Sequence, residues 1–166
     1  ELKPHAYDPV ANPELFEGVL ARRTVAFLID FIIIAVPVVF AVLFITAMGI
    51  VTFGLGFLFF AVLPPAAVIW ARIYYGLCFG SPRSATIGMR VMDLEMRTWY
   101  GSPAYFVLGA VHAIVFYVTV ASLSPFILIV GLLNERRRLL HDFLLGTVVI
   151  NTPARSQAVR DEMQRL

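Results

Sequence analysis

Charged side chains are scarce in this sequence. Asp, Glu, Lys and Arg make up 14% of its 166 residues, whereas soluble domains have about 25%. None of the four types occurs between Asp30 and Arg72, or between Arg97 and Glu135. So few charges cannot cover a water-facing surface, which excludes an ordinary soluble domain. Because a bilayer span needs about 20 apolar residues, the first gap holds two spans, and the second holds one long span or two short ones.

Cysteine and the common catalytic motifs are also lacking. Cys78 is the single cysteine, so the chain cannot form an intramolecular disulfide. The three histidines, His5, His112 and His141, stand far apart, and their spacing predicts no metal site. Phosphate-binding glycine motifs, nucleophile elbows and paired catalytic carboxylates are missing. We therefore expect no enzyme activity and no cofactor.

The apolar residues predict an all-α membrane protein, a bundle of transmembrane helices. Residues 24–48 and 55–77 predict two full spans, and the first run is too long for a signal peptide, so we expect it to stay uncleaved. Residues 104–134 are apolar again, but one helix of that length is about 45 Å long, against a lipid core of about 30 Å. A C-terminal helical hairpin and one kinked third span are the two alternatives for this block.

Two short segments have the composition of β-strands. Residues 92–100 alternate polar and apolar side chains, and residues 147–150 are a mostly β-branched run. Backbone groups near lipid must find hydrogen-bond partners, so we predict that the two segments pair on the cytoplasmic face. Residues 139–145 predict a short interfacial helix that Gly146 ends. The chain divides into a polar arm (1–12), a membrane domain (13–150) and a polar cytoplasmic tail (151–166).

The thirteen Lys and Arg residues indicate which side faces the cytoplasm. They precede the first span, end or follow the second, or follow the last apolar block, and none lies between the first two spans. Positive residues near spans stay on the cytoplasmic side, so we predict a multi-pass protein with both termini and residues 79–102 in the cytoplasm. The basic residues form no groove-sized patch with interleaved aromatic side chains, which excludes nucleic acid as a partner.

Asp30 and His112 are the candidate functional residues inside the apolar runs. Asp30 follows Arg23 by two helical turns, so both side chains share a helix face, about 10 Å apart in depth. Intramembrane carboxylates are costly and are functional-site candidates; Asp30 is either an ion or proton site or one half of a buried pair with an arginine. His112 is either hydrogen-bonded within the core or a ligand or proton relay.

Asp142 is the second candidate carboxylate. It follows three arginines and His141 at an interface, and it is either a solvated charge or a structural partner of Arg22 or Arg23. If the last apolar block returns to the cytoplasm, Asp30 and Asp142 are expected to converge on Arg22 or Arg23. A pair of this kind, buried near the lipid boundary, would be costly to break.

Three short motifs occur in order over residues 15–150. The first is an arginine followed by an alanine three residues on and an aspartate seven on, the second is Thr-x-Gly-x-Arg, and the third is Arg-Leu-Leu-His-Asp followed by Gly-Thr. Their residues are Arg23, Ala26 and Asp30; Thr86, Gly88 and Arg90; and Arg138, His141, Asp142, Gly146 and Thr147. In this order they resemble the RDD family of small, mostly bacterial membrane proteins.

The resemblance implies which residues give the family its name. The arginine and the two aspartates correspond to Arg23, Asp30 and Asp142. Members commonly have an arginine or lysine soon after the second aspartate, where this chain has Phe143. The resemblance therefore implies that this charge is dispensable here or is supplied by residues 136–138.

For function, the resemblance implies a place in the bacterial cytoplasmic (inner) membrane and no single activity. Ion transport is proposed for members, and related domains occur in membrane quality-control assemblies. We expect a non-enzymatic accessory, assembly or scaffold subunit, whose partners are the lipid bilayer and other membrane proteins or a second copy of the chain. The alternative is a cation or proton transporter that uses Asp30, with Asp142 and an arginine as partners.

Overall fold

A computed structural model describes residues 7–123 and 126–165 of the chain. The described residues are mostly helical, with one small sheet. The helices are α1 (Val19–Val51), α2 (Leu63–Phe79), α3 (Ile87–Val91), α4 (Phe106–Leu123), α5 (Phe126–Leu133), α6 (Leu140–Leu145) and α7 (Pro153–Met163). Short 3-10 helices at Pro13–Leu15 and Leu55–Ala61 precede α1 and α2, and the strands are β1 (Leu94–Thr98) and β2 (Thr147–Asn151).

Helix α1 is long and apolar enough to cross a membrane. The second predicted span is broken: Leu55–Ala61 and α2 qualify only as one span bent by 46°. The break lies where α2 begins with Pro64 and Pro65, since proline has no N–H to continue the preceding helix. Among the described residues, one helix, or two if the bent pair is one span, therefore has the length and composition of a membrane span.

The last apolar block contains α4 and α5. Residues 124 and 125, inside the predicted breaker, lie outside the described residues. His112 in α4 lines the same cavity as Arg23 near the start of α1, and Gly131 in α5 faces the side chain of Leu20. Residues early in α4 and late in α5 therefore lie near the same end of α1, which fits the hairpin alternative.

Strands β1 and β2 form the sheet that the sequence predicts. They pair antiparallel, with Leu94 opposite Asn151 and Thr98 opposite Thr147, so the prediction of the pairing is confirmed. The side chains of Leu94 and Asn151 are fully buried. The predicted short helix before β2 is also confirmed as α6, and Gly146 ends it in the left-handed conformation, with φ at 62°.

A close contact between α1 and α3 fixes the position of the site. Gly88 of α3 lies so near the backbone of α1 that a Cβ atom added to it would stand 2.1 Å from the carbonyl oxygen of Ala26. Only glycine allows this approach, since real side chains have no such contact. The N-terminus of α3 is therefore held against the α1 turn that carries Asp30.

The C-terminal tail packs on the start of the membrane domain. Within α7, Val159 is buried, and Arg160 forms an ion pair with the buried carboxylate of Glu14. Asn151, the last residue of β2, donates to the backbone carbonyls of Glu14 (2.8 Å) and Glu17 (3.0 Å). The polar tail is thus ordered as a helix beside the turn that precedes α1.

Candidate functional site

Asp30 lies in a pocket of neutral hydrogen-bond donors. The residue is 4% exposed. Its Oδ1 accepts from the Tyr74 hydroxyl at 2.6 Å and from the Gly88 backbone N–H at 2.8 Å. Its Oδ2 accepts from the Thr86 hydroxyl at 2.6 Å, and the Thr86 oxygen also caps α3. One carboxylate on α1 therefore holds α2 and the start of α3.

The expected convergence of both carboxylates on one arginine is wrong for Asp30. In the part of the chain that the structure describes, no ion pair joins Asp30 to an arginine. The physical reason is that Arg23 lies two turns away along α1 and its guanidinium is used by α6, while hydroxyl and amide donors satisfy Asp30 locally. Neutral donors can stabilise a buried carboxylate without a counter-charge.

Asp142 does pair with Arg23. Arg23 Nη1 lies 2.5 Å from Asp142 Oδ2, and the Asp142 side chain is fully buried. The same Oδ2 accepts from the backbone N–H of Leu139 at 3.0 Å, and Oδ1 accepts from the Thr147 hydroxyl at 3.2 Å. The carboxylate therefore connects α1, α6 and β2.

The two histidines that stand apart in the sequence meet at Asp142. His112 Nε2 lies 3.2 Å from Asp142 Oδ1, and His141 Nε2 lies 3.7 Å from the same oxygen. His141 Nε2 is also 3.3 Å from Arg23 Nη2. His141 Nδ1 is buried and has no hydrogen-bond partner within the described residues. Arg23, His112, His141 and Asp142 are named the histidine–aspartate cluster below.

Burial and neighbouring charges set the protonation states of His141 and Asp142, the two cluster residues in α6. Burial lowers the pKa of His141 to about 3, and the neighbouring Asp142 opposes this only in part. Burial alone would raise the pKa of Asp142, but the Arg23 guanidinium and the hydrogen bond with His112 hold it well below its usual range. At neutral pH, Asp142 is therefore charged and His141 is neutral.

Arg22 has a different role from its neighbour. Its Nη1 donates to Asn151 Oδ1 at 2.6 Å and its Nη2 donates to the carbonyl of Met92. It also lies 3.7 Å from the exposed carboxylate of Asp93. Arg22 therefore ties α1 to the start of β1 and the end of β2, and Arg23 alone serves the second aspartate.

Arg138 supplies a charge beside Phe143. Its side chain donates to the carbonyls of Thr147 (2.9 Å) and Asp142 (2.7 Å). The guanidinium carbon stands 4.2 Å from the centre of the Phe143 ring and 4.4 Å from the centre of the Trp99 ring. Contacts of this kind stabilise a buried cation. The resemblance implies that the charge expected at Phe143 is either dispensable or supplied by residues 136–138. The position of Arg138 fits the second alternative.

A small cavity separates the Asp30 pocket from the histidine–aspartate cluster. It measures about 60 Å³, and Asp30, Thr86, Arg23 and His112 are among its lining residues. Residues of the Asp30 pocket and of the histidine–aspartate cluster therefore line one common cavity.

A larger groove opens on the outside of the helices. It has a volume of about 480 Å³ and lies between α1, α2 and α4. Its lining is apolar apart from Arg72 and Tyr117, and it includes four alanines. These are Ala35, Ala67, Ala71 and Ala113. Arg72 is exposed, and no ion pair to it is found among the residues described.

Sequence reasoning missed several of the residues that complete the site. Tyr74, Thr86 and Gly88 hold Asp30, and Arg138 is almost fully buried beside Asp142. A usable signal existed for Thr86 and Gly88, because the Thr-x-Gly motif has a helix N-cap residue followed by the one residue type that permits close packing. Tyr74 has no comparable signal.

Comparison with known proteins gives one result. The family model described as the RDD family matches residues 18–146. The match covers all four members of the histidine–aspartate cluster and the whole Asp30 pocket. No curated protein and no solved structure matches the chain.

Proposed function

The chain belongs to the RDD family of membrane-associated domains, and we propose that it is a non-enzymatic accessory or scaffold subunit of a larger complex in the bacterial cytoplasmic membrane. The proposal rests on one observation: both buried carboxylates already have hydrogen-bond or ion-pair partners within the chain. Asp30 has three donors within the chain, and Asp142 has Arg23 and further donors. Carboxylates with such partners stabilise the packing of the helices and do not need an ion as a partner.

The space around Asp30 supports a structural role. A water molecule occupies about 30 Å³ of liquid volume, so the cavity of about 60 Å³ beside Asp30 has room for only a few waters. A transport site needs a carboxylate that exchanges its ligands with water or ions. Asp30 instead lies at the junction of α1, α2 and α3, and its loss would loosen all three.

The groove between α1, α2 and α4 supports a protein partner. We assign it to a transmembrane helix of a larger membrane protein that presents a carboxylate to Arg72. Small residues let helices approach closely in a membrane, and alanines line this groove. A charged side chain at membrane depth pairs with a group of opposite sign, and Arg72 finds none among the described residues.

The test is co-purification with a matched pair of variants. Ala67→Phe fills the groove, whereas Ala66→Phe adds the same ring to the preceding residue of α2, which does not line the groove. After gentle detergent extraction from native membranes, mass spectrometry should find one larger membrane protein in stoichiometric amount with the wild type and with Ala66→Phe. Ala67→Phe should lose most of that protein while its own abundance is unchanged.

A homo-oligomer without any stoichiometric partner would contradict the accessory role. A partner that both phenylalanine variants retain equally would instead exclude the groove as the docking surface. Charge reversal gives a further check, since Arg72→Glu should release the partner and a compensating lysine in the partner helix should restore it.

The second candidate function is cation or proton transport. It is favoured by one observation, that Asp30, Arg23 and His112 line the same cavity. In vesicles that contain the purified protein and a pH-sensitive dye, a transporter would dissipate an imposed cation gradient. Asp30→Asn would then stay folded and abundant but lose this flux. Under the accessory role, vesicles with protein behave as empty ones and Asp30→Asn lowers abundance.

We further propose that both termini and residues 79–102 lie in the cytoplasm. In a Cys78→Ser background, single cysteines at Ser102 and Thr152 should resist a membrane-impermeant thiol reagent added outside intact cells, while a cysteine at Thr52 should react. The reason is that arginines lie near the first two positions in the sequence and none lies near Thr52. External labelling at Thr152 would refute the hairpin arrangement of α4 and α5.

A further inference from the structure

The histidine–aspartate cluster contains the elements of a metal site. His112, His141 and Asp142 are buried, and one ligand atom from each lies within 4.8 Å of the other two. We propose that His112 Nε2, His141 Nε2 and Asp142 Oδ1 bind one divalent transition-metal ion of the Zn²⁺ type. The inference is independent of the accessory role and of the groove.

The two nitrogen–oxygen distances are close to those around a tetrahedral ion. Zn–N and Zn–O bonds are about 2.0–2.2 Å, so two ligands of a tetrahedral ion are roughly 3.3 Å apart. The two nitrogen–oxygen distances here are 3.2 Å for His112 and 3.7 Å for His141. Shifts of a few tenths of an ångström would bring both into range. The cavity of about 60 Å³ beside His112 can supply a water as the fourth ligand.

The surrounding groups orient the ligands. Arg23 and the Leu139 backbone N–H both hold Asp142 Oδ2, which leaves Oδ1 directed at the two imidazoles. Metal-bound carboxylates are commonly fixed by such outer hydrogen bonds. His141 Nδ1 has no hydrogen-bond partner in the described part of the chain, so placing the ring proton there and giving Nε2 to a metal breaks no bond at Nδ1.

Arg23 is the competitor for the same space. Its Nη2 lies 3.3 Å from His141 Nε2, so an incoming ion must displace this contact while Nη1 keeps its bond to Oδ2. The ion and the guanidinium would therefore hold opposite oxygens of the Asp142 carboxylate.

The experiment uses the purified full chain in lipid nanodiscs, stripped of metal and then exposed to ZnCl₂. After gel filtration, elemental analysis should give one zinc per chain, and the wild type should gain several degrees in its unfolding midpoint. His112→Ala and His141→Ala should lose the bound zinc and the shift. His5→Ala is the matched control, because it removes the remaining histidine of the sequence, and it should bind as the wild type does.

Cobalt provides a test that needs no variant. Co²⁺ bound by two imidazoles, a carboxylate and a water should give the strong visible absorption of a tetrahedral site, and ZnCl₂ should abolish it. A weak octahedral spectrum would overturn the proposal. So would zinc binding that His112→Ala leaves unchanged, or a wild type that retains no zinc. If the alanine variants do not fold, the cobalt spectrum of the wild type and its loss on addition of ZnCl₂ decide the question.

Discussion

Asp142→Ala is expected to lower the free energy of unfolding by about 3–5 kcal/mol, the usual result of removing one partner from a buried ion pair. The substitution leaves the Arg23 guanidinium without its counter-charge and removes the acceptor for Leu139 and Thr147. Equilibrium unfolding in mixed micelles, followed by the fluorescence of Trp70 and Trp99, measures the change. A loss of this size is a large part of the stability of a small domain, so abundance in membranes should also fall.

Asp161→Ala is the matched control for that prediction. Asp161 is an exposed carboxylate on α7, so its removal should change stability by less than about 0.5 kcal/mol. Arg23→Gln should be nearly as destabilising as Asp142→Ala, and the double variant should lose less than the sum of the two, because the partners share one interaction. Additive losses would contradict the pairing of Arg23 with Asp142.

Gly88→Ala is expected to cost at least about 2 kcal/mol. Overpacking alone typically costs about 1–3 kcal/mol, and a hydrogen bond to a carboxylate, such as that from the Gly88 N–H to Asp30, contributes about 1.5–3 kcal/mol. The new Cβ atom would stand 2.1 Å from the Ala26 carbonyl oxygen and 2.9 Å from Asp30 Cγ. Because the first contact is with backbone, α3 must move away from α1, and the N–H···Oδ1 bond lengthens.

The control for this prediction is Gly131→Ala in α5. A Cβ there would meet only the ends of the Leu139 and Leu20 side chains, at 2.9 and 3.0 Å, and flexible side chains can shift. We expect a change below about 1 kcal/mol. Hydrogen exchange should separate the two variants further, since Gly88→Ala should lose protection across α3. If both variants were equally stable, the close contact of α3 with α1 would be wrong.

The apolar runs and the strand pattern predict much of the architecture, because their periodicity is set by local sequence. Residues 92–100 and 147–150 are identified as partners from composition and from the need of backbone groups for hydrogen bonds near lipid. The bend before α2 is not predicted in this way. Pro64 and Pro65 indicate a disturbance, but prolines inside membrane helices are tolerated, and the sequence does not give the angle.

The candidate site was predictable only in part, for a physical reason. Asp142 and Arg23 are charged residues in an apolar chain, so their pairing follows from the cost of leaving either alone. The partners of Asp30 are a hydroxyl 44 residues away, another 56 away and a backbone amide 58 away. Hydroxyls and amides occur throughout the chain. The Thr-x-Gly motif marks a helix start, but it does not tell which carboxylate that start binds.

The same limit applies to the histidines. Metal-site spacing can be recognised when ligands share a helix or a loop. His112 lies in α4 and His141 in α6, and they meet only because α5 brings the chain back to the end of α1 at which Arg23 lies. The prediction of no metal site rested on that spacing, and it stays a prediction, because the structure shows only that the three ligand-bearing side chains meet.

The unfolding free energy of Asp30→Asn tests the central claim most directly, that the carboxylate inside the apolar region is a structural tie between α1, α2 and α3. Asparagine keeps the shape but replaces one acceptor oxygen by a donor facing Tyr74, Thr86 or the Gly88 amide. Losing hydrogen bonds to a charged group costs about 1.5–3 kcal/mol. We expect a loss of this size in nanodiscs, together with lower abundance in cells. An Asp30→Asn protein as stable and abundant as the wild type would contradict the account.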